Sequence, residues 1–262
     1  MARIDTEAGL VLGYSESGDG ERTPIVFLHG VGNDKSAWRG QLDHFGAERR
    51  SIAFDYPGYG ESDPAPEGTT RDDYAAAILS AMTALRIGRA HICGLSLGGV
   101  VAIAMNALAP EACASLILAD TFAQHPDGPA IFERSNAASS DLRAMAEARV
   151  DVLLAQPADP ALRAEAIETM GRIDPAAYRI GAEAVWLADQ RDRVHDIRVP
   201  TLVLCGTEDK ITPPALSTAL THLIPGARYE AIERAGHLTN LERPQEFNTL
   251  VGAFIRGVDS RS

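Results

Sequence analysis

No apolar run in the 262 residues approaches the ~20 that a membrane span requires. Residues 1–12 lack the basic start and long apolar stretch of a signal peptide, so a cytoplasmic location is expected. Cysteine is scarce. Cys93, Cys113 and Cys205 fit neither a disulfide framework nor the spacing of a zinc site, and read as small buried hydrophobes. Basic residues are the minority: 24 Lys and Arg face 36 Asp and Glu, a net charge of −12. Such a surface disfavours nucleic acid and anionic membranes and leaves a small molecule as the expected partner. Internal repeats and low-complexity linkers are absent too. With 45% hydrophobic and 23% charged residues, wholesale disorder is excluded, and the length suits one large domain or two small ones.

The chain has a strand–loop–helix rhythm. Short apolar runs at 24–29, 51–55, 90–95, 114–120 and 201–206 read as buried strands, and 227–233 as a last one. Helical spacing marks 71–87, 97–108 and 243–256. Strands this apolar are covered on both faces, so the pattern predicts an α/β fold: an open, mostly parallel sheet with helices on both sides. Between 121 and 199 the rhythm breaks into helical segments without a convincing strand. Residues 1–120 and 200–262 are thus expected to form the core, and 121–199 a helical lid. Within the lid, polar 135–140 reads as a loop, and Pro157 and Pro160 break a helix.

Chemistry concentrates at Gly94-Leu95-Ser96-Leu97-Gly98, a G-x-S-x-G pattern that follows a strand and opens a helix. A serine in so tight a turn needs neighbours without side chains, which Gly94 and Gly98 provide, while Gly99 lets the helix pack closely. The turn lifts the Ser96 hydroxyl above the C-terminal edge of the sheet. It also sets the Leu97 N–H at a helix N-terminus, where negative charge is favoured.

A serine nucleophile needs a base, and the base an orienting carboxylate. Of seven histidines, His237 follows the last strand and falls on the same rim as Ser96. His29 shapes the loop beside Gly30, His91 lies within a strand, and His44, His195 and His222 read as surface. His125 starts the lid and is a candidate substrate contact. For the acid, Asp209 leaves the strand 201–206. Glu208 beside it is not excluded by chemistry, Asp120 is a weaker alternative, and Asp55 reads as structural. The order Ser96, Asp209, His237 suits the fold. An oxyanion hole needs two N–H donors, taken as Leu97 and, from the loop after strand 24–29, Val31.

On His29-Gly30-Val31-Gly32, Asp55-Tyr56-Pro57-Gly58-Tyr59-Gly60-Glu61-Ser62, the Ser96 motif, Gly206-Thr207-Glu208-Asp209 and Gly236-His237, the chain resembles the α/β-hydrolase family over nearly all its length outside the lid. The resemblance implies Ser96 as nucleophile, His237 as base, Asp209 as acid, Val31 and Leu97 as oxyanion donors, and no metal or organic cofactor. Residues 89–99, 118–121 and 237–244 are similar to enol-lactone hydrolases of the β-ketoadipate pathway. That similarity implies a small ester or lactone substrate, possibly bearing a carboxylate, with Phe132 and Arg134 at the lid start as counterparts of an aromatic–Arg pair. Trp38 and Trp186 complete the candidate substrate contacts. Competing expectations are a meta-cleavage-product hydrolase that cuts a C–C bond, a general carboxylesterase, and a ligand-binding member without turnover. An intact Ser–His–Asp set argues against the last.

Overall fold

The computed structural model describes residues 2–7 and 9–261. In chain order the elements are β1 (Ala2–Asp5), β2 (Val11–Leu28), α1 (Arg39–Gly46), β3 (Arg49–Phe54), α2 (Arg71–Ala84), β4 (Ala90–Leu95), α3 (Leu97–Leu108) and β5 (Cys113–Ala119). Then come α4 (Gly128–Ala138), α5 (Leu142–Leu153), α6 (Pro160–Gly171), α7 (Pro175–Trp186) and α8 (Arg191–Val194). The chain closes with β6 (Thr201–Gly206), α9 (Pro214–Leu223), β7 (Arg228–Ile232), α10 (Thr239–Glu242) and α11 (Pro244–Asp259). No helix among the described residues is long and apolar enough to cross a membrane.

The strands form one sheet, seven among the described residues, in the order β1-β2-β4-β5-β6-β7 with β3 also paired to β2. β3 lies between the two ends of β2. Ile25 faces Ser51 and Leu28 faces Phe54 on one side, while Tyr14 faces Phe54 and Ser17 faces Ser51 on the other. β4 to β7 run parallel, and β1 is antiparallel to β2. Two-residue alternation splits the core. Val26, Leu28, Ile92, Leu116 and Val203 face the cluster holding Tyr74, Ile78, Val100 and Ala104 from α2 and α3. Ile25, Phe27, Cys93, Ile117 and Leu204 face the cluster holding Leu42, Phe45, Phe247 and Val251 from α1 and α11.

The open parallel sheet matches the expectation from the apolar runs. β1 and the first part of β2 do not appear in that expectation, because 15–23 (SESGDGERT) offers no apolar alternation. The loop expected at 135–140 is also corrected: α4 continues to Ala138, with Ser135 inside it and only 3% exposed. Its polar side chain is turned inward, where composition suggests solvent. Helices α4 to α8 all lie between β5 and β6. Because the strands are parallel, the ends of β2, β4, β5, β6 and β7 meet on one rim, where an α/β sheet presents its site.

Candidate active site

Ser96 joins β4 to α3 in the left-handed region, with φ 56° and ψ −115°. Ordinary residues avoid this conformation, so it is held by its surroundings. A Cβ on Gly98 would fall 2.0 Å from the Leu28 carbonyl oxygen, and one on Gly94 would fall 2.1 Å from that of Gly98. The turn can close only with glycine at both. Its backbone is tied down as well: the Ser96 N–H donates to the Ala119 carbonyl at 2.9 Å, and the Thr121 hydroxyl donates to the Ser96 carbonyl at 2.9 Å.

His237 Nδ1 lies 2.8 Å from Asp209 Oδ2. The Thr212 hydroxyl donates to the same oxygen at 2.6 Å, and the N–H groups of Ile211 and Thr212 donate to Oδ1 at 2.8 and 2.9 Å. An acceptor-only carboxylate beside the ring fixes Nδ1 as the protonated nitrogen and leaves Nε2 as the free, basic one. Burial works against charge on His237, but the charge of Asp209 and its hydrogen bond outweigh it and hold the imidazole above its ordinary value. For Asp209 burial is likewise overcome, by His237 and Thr212, and the carboxyl sits below its ordinary range. Glu208 takes no part: it is half-buried, and its N–H donates to the Ala235 carbonyl.

Asp120, fully buried at the end of β5, does not contact the imidazole. Its Oδ1 accepts from the Gly206 N–H at 2.9 Å and its Oδ2 from the Thr239 hydroxyl at 2.5 Å. Burial and the neighbouring charge of Asp209 push it well above the carboxylate range. Sequence spacing gave no compact ligand set, yet Asp120, Cys205 and Asp209 bring one ligand atom each to within 4.8 Å of one another. Internal hydrogen bonds account for the cluster. Every carboxylate oxygen has a donor, and the Cys205 thiol, raised by burial, points at the carbonyls of Gly206 and Thr212.

The loop after β2 leans on this turn. A Cβ on Gly30 would sit 3.4 Å from that of Ser96. The N–H groups of Val31 and Leu97 have no acceptor among the described residues. His29 is buried beneath the loop, bonded through Nδ1 to the Gly30 carbonyl at 2.9 Å and packed on Tyr56 and Tyr59. His44, His195 and His222 are exposed. His91 is buried at the opposite edge of the sheet, with Nδ1 2.8 Å from the Ser115 hydroxyl and Nε2 3.0 Å from Asp259. This second Ser–His–Asp set lies at the start of β4, the end of the strand away from Ser96.

Ser96 and His237 line one pocket together with Gly30, Val31 and Asn33. Its unfilled space, mouth and open solvent included, is about 730 Å³. Much of one wall is a single stripe of α5: Ala146, Arg149, Val150 and Leu153 recur at helical spacing. The five candidate substrate contacts are scattered. Trp186 lines the pocket. Arg134 and His125 border outer depressions instead: Arg134 and Lys210 line two of them, and His125 joins them in one. Phe132 packs against the core. Trp38 departs from its expected place: it is 1% exposed and stacks on Phe27 at 4.9 Å, because α1 and α11 close over that side of the sheet. Arg149, Tyr178, Thr212 and Glu242 lie beyond the sequence reading. Only the 146/149/150/153 stripe, an apolar helix face interrupted by Arg, offered a signal.

Residues 25–250 match the model of the alpha/beta hydrolase family, and the chain belongs to that family. It is 31% identical over 260 residues to the dihydrolipoyllysine-residue acetyltransferase component of the acetoin cleaving system of Pseudomonas putida, covering 95% of this chain and 67% of that one. It is 26% identical to 3-oxoadipate enol-lactonase 1 of Acinetobacter baylyi, over 97% of both. Among solved structures, the enol-lactonase of Burkholderia xenovorans LB400 superposes with a TM-score of 0.90 at 29% identity, over 97% of this chain and 100% of that one.

Proposed function

We propose that the protein is a serine hydrolase of a small ester or lactone, working through an acyl-enzyme in the manner of an enol-lactone hydrolase. The observation that carries the reading is that Ser96 and a histidine oriented by a carboxylate open on the same pocket. Ser96 Oγ attacks the acyl carbon and gives its proton to His237 Nε2. The carbonyl oxygen becomes an oxyanion between the N–H groups of Val31 and Leu97. Collapse of this intermediate breaks the acyl–oxygen bond, and the leaving oxygen takes the proton from His237. In a lactone the ring opens and both ends stay on one molecule. Water then adds to the acyl carbon as His237 takes its proton. Expulsion of Ser96 Oγ, reprotonated by His237, frees the acid. Asp209 keeps the imidazole in the required tautomer and steadies the imidazolium. Residues 121–199 act as a cap, supplying pocket walls from α5, α6 and α7.

A substrate panel tests this: enol lactones, simple esters and ring-cleavage dienoates compared by kcat/KM, with a serine-directed organophosphonate as label. The reading expects Ser96-dependent turnover of lactones or esters. Turnover confined to the dienoates would make it a C–C hydrolase. Saturable binding with no turnover of any of them would make it a ligand-binding member of the fold.

A further inference from the structure

We infer that Asn33 and Tyr178 form a neutral polar subsite in this pocket, and that it selects substrates whose acyl part carries a hydroxyl one or two carbons from the acyl carbon. This rests on the proposed hydrolase reading and names its substrate class.

Both side chains are buried and both line the pocket of Ser96. Among the described residues, neither the Asn33 amide nor the Tyr178 hydroxyl has a hydrogen-bond partner. The hydroxyls of Tyr59 and Tyr74 are unpaired as well, but they are sealed off. The polar atoms of Asn33 and Tyr178 are not sealed, so they open on the pocket that their residues line. An uncommitted amide and phenol in a largely apolar cleft cost free energy unless water or a ligand meets them. Each group can both donate and accept, as a hydroxyl does. A carboxylate only accepts, and would leave the amide oxygen facing a second acceptor.

Both groups belong to the side of the pocket that carries the Val31 N–H. The Asn33 N–H donates to the Gly30 carbonyl at 3.1 Å, closing a tight turn with Val31 inside it. α7 is pressed onto the same loop. A Cβ on Gly181 would fall 3.2 Å from Val31 Cγ2 and 2.1 Å from the Tyr59 hydroxyl oxygen, so only glycine lets the helix come this near. Tyr178, one helical turn earlier, shares that face. The first turn of α7 is fixed by Asp174, which accepts from the N–H groups of Ala176 and Ala177 at 2.8 and 3.1 Å. The phenol therefore stands in place before substrate arrives, with little rotamer freedom left to lose. α5 belongs to the side of the base, since the His237 N–H donates to the Leu153 carbonyl at 2.8 Å. The leaving oxygen takes its proton from His237 and so turns toward α5, which leaves the acyl part with the loop and α7. A four-residue turn spans less than about 7 Å. The subsite thus reaches an oxygen on the α or β carbon of the acyl part, and not a distant one.

The test uses two isosteric pairs of p-nitrophenyl esters: 2-hydroxypropanoate against 2-methylpropanoate, and 3-hydroxybutanoate against 3-methylbutanoate. Each kcat/KM is divided by the ester's own rate of alkaline hydrolysis, which removes the activation that a hydroxyl lends the carbonyl. In the wild type at least one pair should favour the hydroxyl by ~10- to 100-fold, the range of two neutral hydrogen bonds. Tyr178→Phe removes a single oxygen and Asn33→Leu keeps the shape of the amide. Each should lower that ratio by about threefold or more, and the double variant should bring it close to one. Asn33→Gln should restore part of it. Wild-type ratios near one in both pairs, or a ratio unmoved in either single variant, overturn the inference while Ser96-dependent turnover leaves the hydrolase reading standing. Should no ester or lactone be turned over, that reading fails, and NMR titration with the ethyl esters of the same four acids decides about the subsite separately. Tighter binding of a hydroxylated ester that is lost in Tyr178→Phe supports the subsite, and equal binding within both pairs overturns it.

Discussion

The His237 N–H donates to the Leu153 carbonyl at 2.8 Å, so the loop that carries the imidazole is tied to the last turn of α5. Glu242 reinforces the tie. Its carboxylate accepts from the N–H groups of Gly236 and Leu238 on either side of the histidine, and from that of Ala155 just past α5. The base and one wall of the pocket are thereby joined, although 82 residues of sequence separate Ala155 from His237.

Glu242→Ala should disturb both. It leaves three N–H groups without their acceptor, two of them beside His237. A loss of about 2 kcal/mol in unfolding free energy is expected, with a fall in kcat. Urea denaturation and steady-state kinetics on the same preparation measure the two. Unchanged stability would mean the loop is held by other contacts.

Ser96→Ala should abolish organophosphonate labelling and lower kcat by ~10⁴-fold or more. Surviving label in the Ala variant would place the nucleophile elsewhere.

The three neighbouring carboxylates should respond differently. Asp209→Asn removes the charge that orients and raises His237, and should cost ~10⁴-fold in kcat. Asp120, pushed upward by burial and by Asp209, makes no hydrogen bond to the imidazole, so Asp120→Asn should cost no more than about tenfold. Glu208→Gln should do still less, since that side chain stays away from the imidazole. Steady-state kinetics on the three variants decide it. Damage from Asp120→Asn equal to that from Asp209→Asn would make Asp120 a second orienting acid.

Neutral His237 is the active form, so kcat/KM should fall as pH falls through its pKa. Asp209 raises that value despite burial, which sets the midpoint of the acid limb above 6.5. A pH–rate profile with a limb at or below 6.5 would contradict the ion pair.

His91 predicts an acid-sensitive fold. Burial pushes it down to about 4, so the folded state resists the proton that the unfolded chain accepts near 6.5. Stability from this group is full above 6.5 and is lost as pH falls toward about 4, by about 3 kcal/mol. Asp259, held low by His91 and Arg49 despite burial, stays ionised through that window. Unfolding free energies measured from pH 7 to 4.5 should show the slope, and His91→Gln should flatten it. An equal slope in both proteins would assign it to other groups.

Much of the fold was legible because buried parallel strands must be apolar on both faces. Residues 90–95 and 201–206 could be bounded from sequence alone, and both match β4 and β6. The turn at Ser96 was legible for a steric reason, since Gly94 and Gly98 are required where backbone atoms come within 2.1 Å of where a Cβ would stand. The half-exposed front of β2 was not, because an edge partly open to water needs no apolar pattern.

Local sequence thus determined the buried strands, the tight turn and the chemical types of Ser96, Asp209 and His237, since each follows from the residue and its immediate neighbours. Only the tertiary structure decided that Asp209 rather than Glu208 meets the imidazole, that Trp38 belongs to the core, and that Arg149 rather than Arg134 lines the pocket of Ser96. Those outcomes depend on how the loops after β6 and β7 meet, how α1 and α11 close over one side of the sheet, and how the helices of 121–199 dock on its rim. Docking is a sum of contacts between residues distant in sequence, which no local pattern encodes.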